Sequence, residues 1–254
     1  MEKNNYLTAM LVAGLVIVAA VLALNSKMQG VVNGVEEKSR VSVSGTSSLT
    51  VEPNKAEIYV KIVTLEKAAQ DSKNKNSQIS GNVAKALKKE GIKDKDIETS
   101  QFYINPKYDY EEITDTNSRK SKQILVGYEV VNVLKVTALD LDKAGKLIDA
   151  AVDNGANDIE SISFGLTKEK EKDVKQQAMI LASSDAKDKA VALATNLGVS
   201  LYKPISISES SFNYQPFQFG RDALMEKSVT GAGTAISPQK IDVSASVSLV
   251  YEIR

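Results

Sequence analysis

The chain has 254 residues, and its 32 Lys and Arg are matched by 32 Asp and Glu, with a pI near 6.4. That length can bury a proper core, while zero formal charge and no local basic stripe exclude bulk attraction for nucleic acid. Cys, His and Trp are all absent, which excludes disulfides, thiolate nucleophiles, Ser-His-Asp triads and imidazole- or thiolate-held metals, leaving carboxylates, Lys, Tyr or an all-oxygen cation site.

From Asn4 to Ser26 the sequence carries no charge, and Leu7–Leu24 is almost wholly apolar. At about 1.5 Å per residue this run spans a bilayer's hydrocarbon core. It is apolar all round, as a lipid-exposed helix is, and longer than the roughly 7–15 apolar residues of a secretory signal. Residues 1–28 are therefore expected to form a transmembrane anchor that contacts the membrane through Leu7–Leu24, with the following domain outside. A cleaved signal peptide, releasing a secreted or periplasmic protein, is the alternative. Residues 29–38 read as a stalk and 39–254 as the domain.

Val41, Val43, Gly45, Ser47, Leu49 and Val51 share one parity with small polar residues between them, the period of a half-buried strand. Glu52–Lys55, "EPNK", is a turn, and Ala56, Ile58, Val60 and Ile62 mark a second strand. A helix is expected over 66–90, with Ile79, Val83, Ala86 and Leu87 as its stripe and Gly91 as its stop. Strands at Ile97–Ile104 and Ile124–Val136 flank a loop, Asn105–Gln123, and a second helix covers Asp140–Asn154.

The stretch Asp153–Leu166, "DNGANDIESISFGL", raises the question of a cation loop, because Asp153, Asn154, Asn157, Asp158 and Glu160 cluster round a glycine. The spacing does not match an Asp-x-Asp-x-Asp-Gly calcium loop. Helix-stop and turn chemistry accounts for every residue, and Ile162, Phe164 and Leu166 open a strand at once. A third helix spans Lys168–Leu197. Its Ala178, Ala182, Ala186, Ala190 and Ala194 stack on one face, which suits close internal packing; an oligomerisation surface is the alternative. Val174, Leu181, Leu193 and Leu197 are placed on the same side. Strands at Pro204–Phe212 and Ile241–Ile253 enclose a long loop at 213–240. The order ββαββαβαββ predicts an α+β fold with largely antiparallel sheets, preceded by the one N-terminal transmembrane helix.

Several segments resemble the SIMPL domain family: "VSGTSSLTVEPNKAEIYVKI", Gly127–Leu166, "KAVALATNLGVSLYKPISISES" and "ISPQKIDVSASVSLVYEI". The resemblance covers roughly residues 39–254 and implies an exported or envelope-facing α+β domain that assembles into oligomers, with relatives tied to stress tolerance and surface antigenicity. It carries over no catalytic residue. The two long loops are the expected partner surfaces, through Tyr108 and Tyr110 on the first and Tyr214, Phe217 and Phe219 on the second. The alternative for Phe217 and Phe219 is that they fold back over the sheet. An enzyme or ligand-binding protein would have to use Asp109, Glu111 and Glu112, or Asp153 and Asp158, and nothing in the sequence pairs or desolvates them. No catalytic, cofactor-binding or metal-binding residue is assigned. The expectation is a non-enzymatic, tethered domain acting through self-association or an unknown protein partner, with no nucleic-acid role.

Overall fold

A computed structural model describes residues 39–115, 118–220 and 236–254. The apolar run Leu7–Leu24, the stalk and residues 221–235 lie outside the described residues. Among the described residues no helix is long and apolar enough to cross a membrane.

In chain order the elements are β1 (Arg40–Val51), β2 (Lys55–Glu66), α1 (Ala69–Lys89), β3 (Ile97–Asp115), β4 (Ser118–Ala138), α2 (Ala144–Asp153), β5 (Asp158–Gly165), α3 (Lys168–Leu197), β6 (Leu201–Tyr214), β7 (Phe217–Gly220) and β8 (Ile241–Ile253). Among the described residues the fold is α+β, with three α-helices and two sheets in which every pairing is antiparallel. One sheet runs β1-β8-β6 and the other β3-β4-β2-β5-β7. The expected order lacks β7, a four-residue strand cut from the segment assigned to the 213–240 loop.

Consecutive strands β1 and β2 do not pair. The Glu52–Asn54 link carries the chain from one sheet to the other, and no strand of one sheet packs extensively on a strand of the other. Each sheet thus has its own core. In the five-stranded sheet, Ile58, Val60, Ile62, Leu134, Val136, Ile162 and Phe164 close against Val83 and Leu87 of α1 and Leu147, Ile148 and Ala151 of α2. In the three-stranded sheet, Val43, Ala245, Val247 and Leu249 close against the alanine row of α3, and Val174, Leu166, Ile241 and Val243 extend that core.

The alanine row is internal. Ala178, Ala182, Ala186 and Ala190 are fully buried, and Gly45 lies so close beneath them that a Cβ there would sit 2.0 Å from the Ala182 carbonyl oxygen. Leu181, Leu193 and Leu197, expected on the same side, are exposed. A residue three places from an alanine is turned about 60° round the helix, which carries these leucines off the narrow contact line that small side chains permit.

Helix α1 seats its first half on hydrogen bonds instead of a stripe of apolar side chains. Ser72 and Asn76 are fully buried. The Ser72 hydroxyl donates to the Thr64 carbonyl at 3.0 Å and the Thr64 hydroxyl donates to the Ser72 carbonyl at 2.9 Å. The Asn76 amide donates to the Ile62 carbonyl at 3.0 Å and to the Val130 carbonyl at 3.3 Å, and the Asn132 amide donates to the Ser80 hydroxyl at 2.9 Å.

The β1–β2 and β5–α3 crossings between the cores meet at a shared junction. The Thr167 N–H donates to the Asn54 side-chain oxygen at 2.8 Å, the Asn54 N–H donates to the Gly165 carbonyl at 2.9 Å, and the Leu166 N–H donates to the Tyr214 hydroxyl at 2.6 Å. Burial pushes the Tyr214 phenol above the ordinary tyrosine range.

The acidic stretch after α2 holds the helix stop and turn that its spacing predicts. Gly155 ends the helix at φ +104°, a conformation that disfavours a side chain. The Ala156 N–H reaches the Ala151 carbonyl at 3.0 Å. Asn157 accepts from the Val63 N–H at 2.9 Å and donates to the Val63 carbonyl at 2.7 Å, continuing the sheet by one rung beyond β5. Asp158 pairs with Lys61 at 3.6 Å. Among the described residues, no group of three or more carboxylates is gathered as a metal would require.

Candidate interaction surface

The segment Asn105–Gln123, expected as a loop, is a two-stranded ribbon. Strands β3 and β4 stay paired from Asn105 opposite Glu129, through Tyr108 opposite Leu125 and Tyr110 opposite Gln123, to Asp115 opposite Ser118. Its Tyr, Ile and Thr content favours extended backbone, and high local charge masked that signal in the sequence. Strand β2 stops pairing with β4 at Glu66 opposite Tyr128. Beyond that rung each ribbon strand has only the other, and from Pro106 to Asp115 the ribbon runs on for roughly 30 Å at about 3.3 Å per residue.

Alternation along the register gives the ribbon two unlike faces. Phe102, Ile104, Pro106, Tyr108 and Tyr110 of β3 share a face with Tyr128, Leu125 and Gln123 of β4. The other face carries Asn105, Lys107, Asp109 and Glu111 with Glu129 and Lys122, alongside the exposed Tyr103 and Ile124, and Lys107 pairs with Glu129 at 3.4 Å. The parity of β3 is unbroken along this length. The irregularity at Lys107/Tyr108 is absorbed by the extra residue Val126 in β4. The apolar face continues the face that α1 covers on the sheet proper, where Val130 is fully buried opposite Ile104. Past the helix it is open: Phe102 is 46% exposed, Tyr108 47%, Leu125 45% and Tyr110 67%.

The ribbon's outer edge is less inviting than its face. Because Asn157 takes both polar groups of the Val63 backbone on the β5 side, the rung Val63–Val131–Tyr103 turns the Tyr103 backbone towards β4. The backbones of Phe102, Ile104, Pro106, Tyr108 and Tyr110 therefore point outward. Pro106 has no N–H to offer there, and the Tyr110 N–H is taken by the Asp109 carboxylate at 2.8 Å.

The other expected surface residues lie elsewhere. Tyr214 closes the junction described above. Phe217 and Phe219 sit on β7, with Phe217 opposite Phe164 and Phe219 opposite Ile162. Their rings meet edge to face at 4.8 Å, and both pack on the core of the five-stranded sheet, which is the fold-back arrangement. The ribbon therefore brings Tyr108 and Tyr110 together with Phe102, Ile104, Leu125 and Tyr128; Phe102 and Ile104 share the parity of the two tyrosines in the sequence, whereas Leu125 and Tyr128 reach one face only through the extra residue Val126.

The chain is similar to known proteins over most of its length. The chain is 29% identical over 220 residues to the 26 kDa periplasmic immunogenic protein of Brucella melitensis, covering 86% of each chain. It is 29% identical over 224 residues to the uncharacterized protein YggE of Edwardsiella ictaluri, covering 86% of this chain and 89% of that one. It is 27% identical over 238 residues to YggE of Escherichia coli K12, covering 94% and 93%. A family model described as SIMPL, protein of unknown function (DUF541), matches residues 41–251, and the chain belongs to that family.

Proposed function

We propose that this protein is a non-enzymatic, extracytoplasmic module, held at the membrane by Leu7–Leu24, that works by protein contact and self-association through the β3–β4 ribbon. One observation carries the proposal: a two-stranded ribbon is marginally stable by itself in water, yet this one extends well past its sheet with aromatic side chains on an open face. Exposed contiguous apolar surface of this kind marks contact sites. The periplasmic name of the Brucella relative supports an envelope location, and the length of the apolar run supports retention as an anchor over removal.

The test is light scattering on the full chain in detergent, together with fractionation of cells producing it. The expected result is a membrane-associated chain with a mass above one copy. A strictly monomeric species at high concentration would refute self-association, and a mature protein lacking its first residues in the soluble fraction would refute the anchor.

A further inference from the structure

We infer that the end of the three-stranded sheet where β1 begins is seated on an anionic lipid surface. This depends on the membrane-held reading above and adds which end of the domain meets lipid. Three strand ends and a helix end come together there. The Ile253 N–H donates to the Ser39 carbonyl at 3.0 Å, Arg40 lies opposite Glu252, and Ser200 and Arg254 exchange backbone bonds at 2.7 and 3.0 Å. Helix α3 closes at Leu197, and three residues later the chain enters β6. The side chains left open at this end are of two kinds. Leu193, Leu197 and Tyr202 are 44%, 72% and 55% exposed, and Arg40, Lys203 and Arg254 are exposed cations. Two of the cations stand over the Tyr202 ring, with the Arg254 Cζ 4.1 Å and the Lys203 Nζ 5.9 Å from its centre.

Charge and area select lipid. In a chain that is 25% charged, Ala190–Ser208 carries Lys203 and no other charge, and Val41–Val51 and Val243–Tyr251 carry none. The acid at this end, among the described residues, is Glu252, whose side chain is 4% exposed and pairs with Arg254 at 3.4 Å. The charge turned outward is therefore positive. Tyrosine and leucine ringed by Arg and Lys suit a membrane interface, where the ring sits at headgroup level and the cations reach phosphates. At on the order of 100 Å² each, the six side chains offer roughly 600 Å², short of the about 800 Å² that each partner gives to a specific protein interface. A headgroup layer needs no such matched area. Connectivity agrees: the preceding chain, with its uncharged run Asn4–Ser26, joins the domain at this end. From here β1 leads away to the junction over roughly 36 Å, at about 3.3 Å per residue.

The experiment reconstitutes full chains in vesicles of equal parts phosphatidylcholine and phosphatidylglycerol, with flotation as a separate measure of tethering. The protein has no Trp, so Tyr202→Trp adds a single fluorophore and keeps a ring for the cations. Brominating the phosphatidylcholine near its headgroup is expected to quench the emission of Tyr202→Trp about twofold, and to leave that of Tyr108→Trp, on the ribbon, unchanged. Vesicles of phosphatidylcholine alone are expected to give less quenching of the same Tyr202→Trp chain, a comparison that needs no second variant. Arg40→Glu with Lys203→Glu in that chain is expected to abolish the quenching, and Arg40→Lys with Lys203→Arg to keep it, at an unchanged circular dichroism melt. A chain that floats with the vesicles but shows no quenching overturns this seating and leaves the tether standing. Equal quenching in neutral vesicles overturns the anionic surface. Emission that shifts with protein concentration instead of lipid means that a second copy covers this end, and overturns the seating as well. A chain that does not float overturns both readings.

Discussion

Replacing Gly45 by alanine tests the seating of α3 on β1. The added Cβ would lie 2.0 Å from the Ala182 carbonyl oxygen, 2.4 Å from the Ala186 nitrogen and 2.7 Å from the Ala186 Cβ. Carbon atoms in good contact stand about 3.5–4.0 Å apart, so the overlap exceeds an ångström. It is against main chain, where no rotamer change gives relief. The helix must lift from the sheet, and the fully buried row Ala178, Ala182, Ala186 and Ala190 then loses its contact with Val43, Val247 and Leu249. Overpacking costs typically about 1–3 kcal/mol, and a clash with backbone belongs at the upper end, about 3 kcal/mol. For a domain of this size each kcal/mol lowers Tm by about 2–4 °C, so thermal unfolding followed by circular dichroism should fall by roughly 6–12 °C. The matching control is Gly81→Ala, where an added Cβ meets nothing within 4 Å on a helix interior; it should gain about 0.5–1 kcal/mol. A Gly45→Ala chain that melts with the wild type would mean that α3 does not lie this close to β1.

Tyr214→Phe removes the acceptor for the Leu166 N–H and should cost about 1 kcal/mol in urea unfolding at neutral pH. Its pH dependence has a fixed sign. The folded phenol sits above its unfolded value, so its contribution is complete below about pH 10 and is lost as pH rises through the folded value; the stability gap between wild type and Tyr214→Phe should narrow there, and a widening gap would refute the assignment. Asn157→Ala leaves both polar groups of Val63 to solvent and should cost about 1 kcal/mol, with faster amide exchange at Val63 as the specific readout. Asn76→Ala strips two buried carbonyls of a donor, Ile62 and Val130, and should cost about 1–3 kcal/mol, with protection lost first over residues 69–80.

Much of this architecture is legible in the sequence, and the failures share a cause. Period-two counting finds β1, β2 and β8 because each buries one face and wets the other, as in the alternation Ile241, Val243, Ala245, Val247, Leu249. The bounds of α3 at Lys168–Leu197 follow from the Thr167 cap and from Gly198 at φ +68°. The ribbon is missed because its pairing is held by strand-to-strand backbone bonds, while "YDYEEITD" looks solvated by composition. The buried Ser72 and Asn76 are missed because their partners are backbone carbonyls and Thr64, far from them in any apolar pattern. Strand β7 is missed because four residues cannot display a period. The switch of sheets between β1 and β2 is equally silent, since a tight turn of "EPNK" serves a hairpin or a crossing alike.

The four outer strands of the two sheets, among the described residues, bear on how this chain can associate. An open edge invites open-ended pairing, which folded proteins suppress. On β1 the outward Thr46 N–H is taken by Asp185 at 2.8 Å and the Ser44 carbonyl by Lys189 at 3.3 Å, and these contacts with Lys189 and Thr46 hold the Asp185 carboxyl below its usual range. On β6, Lys203 and Pro204 lie among register breaks at Leu201/Pro204, Pro204/Ser206 and Glu209/Ser211. On β7 there are four residues, too few to template a partner. On β3, Pro106 and the Asp109–Tyr110 contact interrupt the run. Edge-to-edge contact generates fibres because each addition exposes a fresh edge, whereas a two-fold contact between faces consumes both surfaces and stops. The self-association proposed for the ribbon face is a contact of the closing kind.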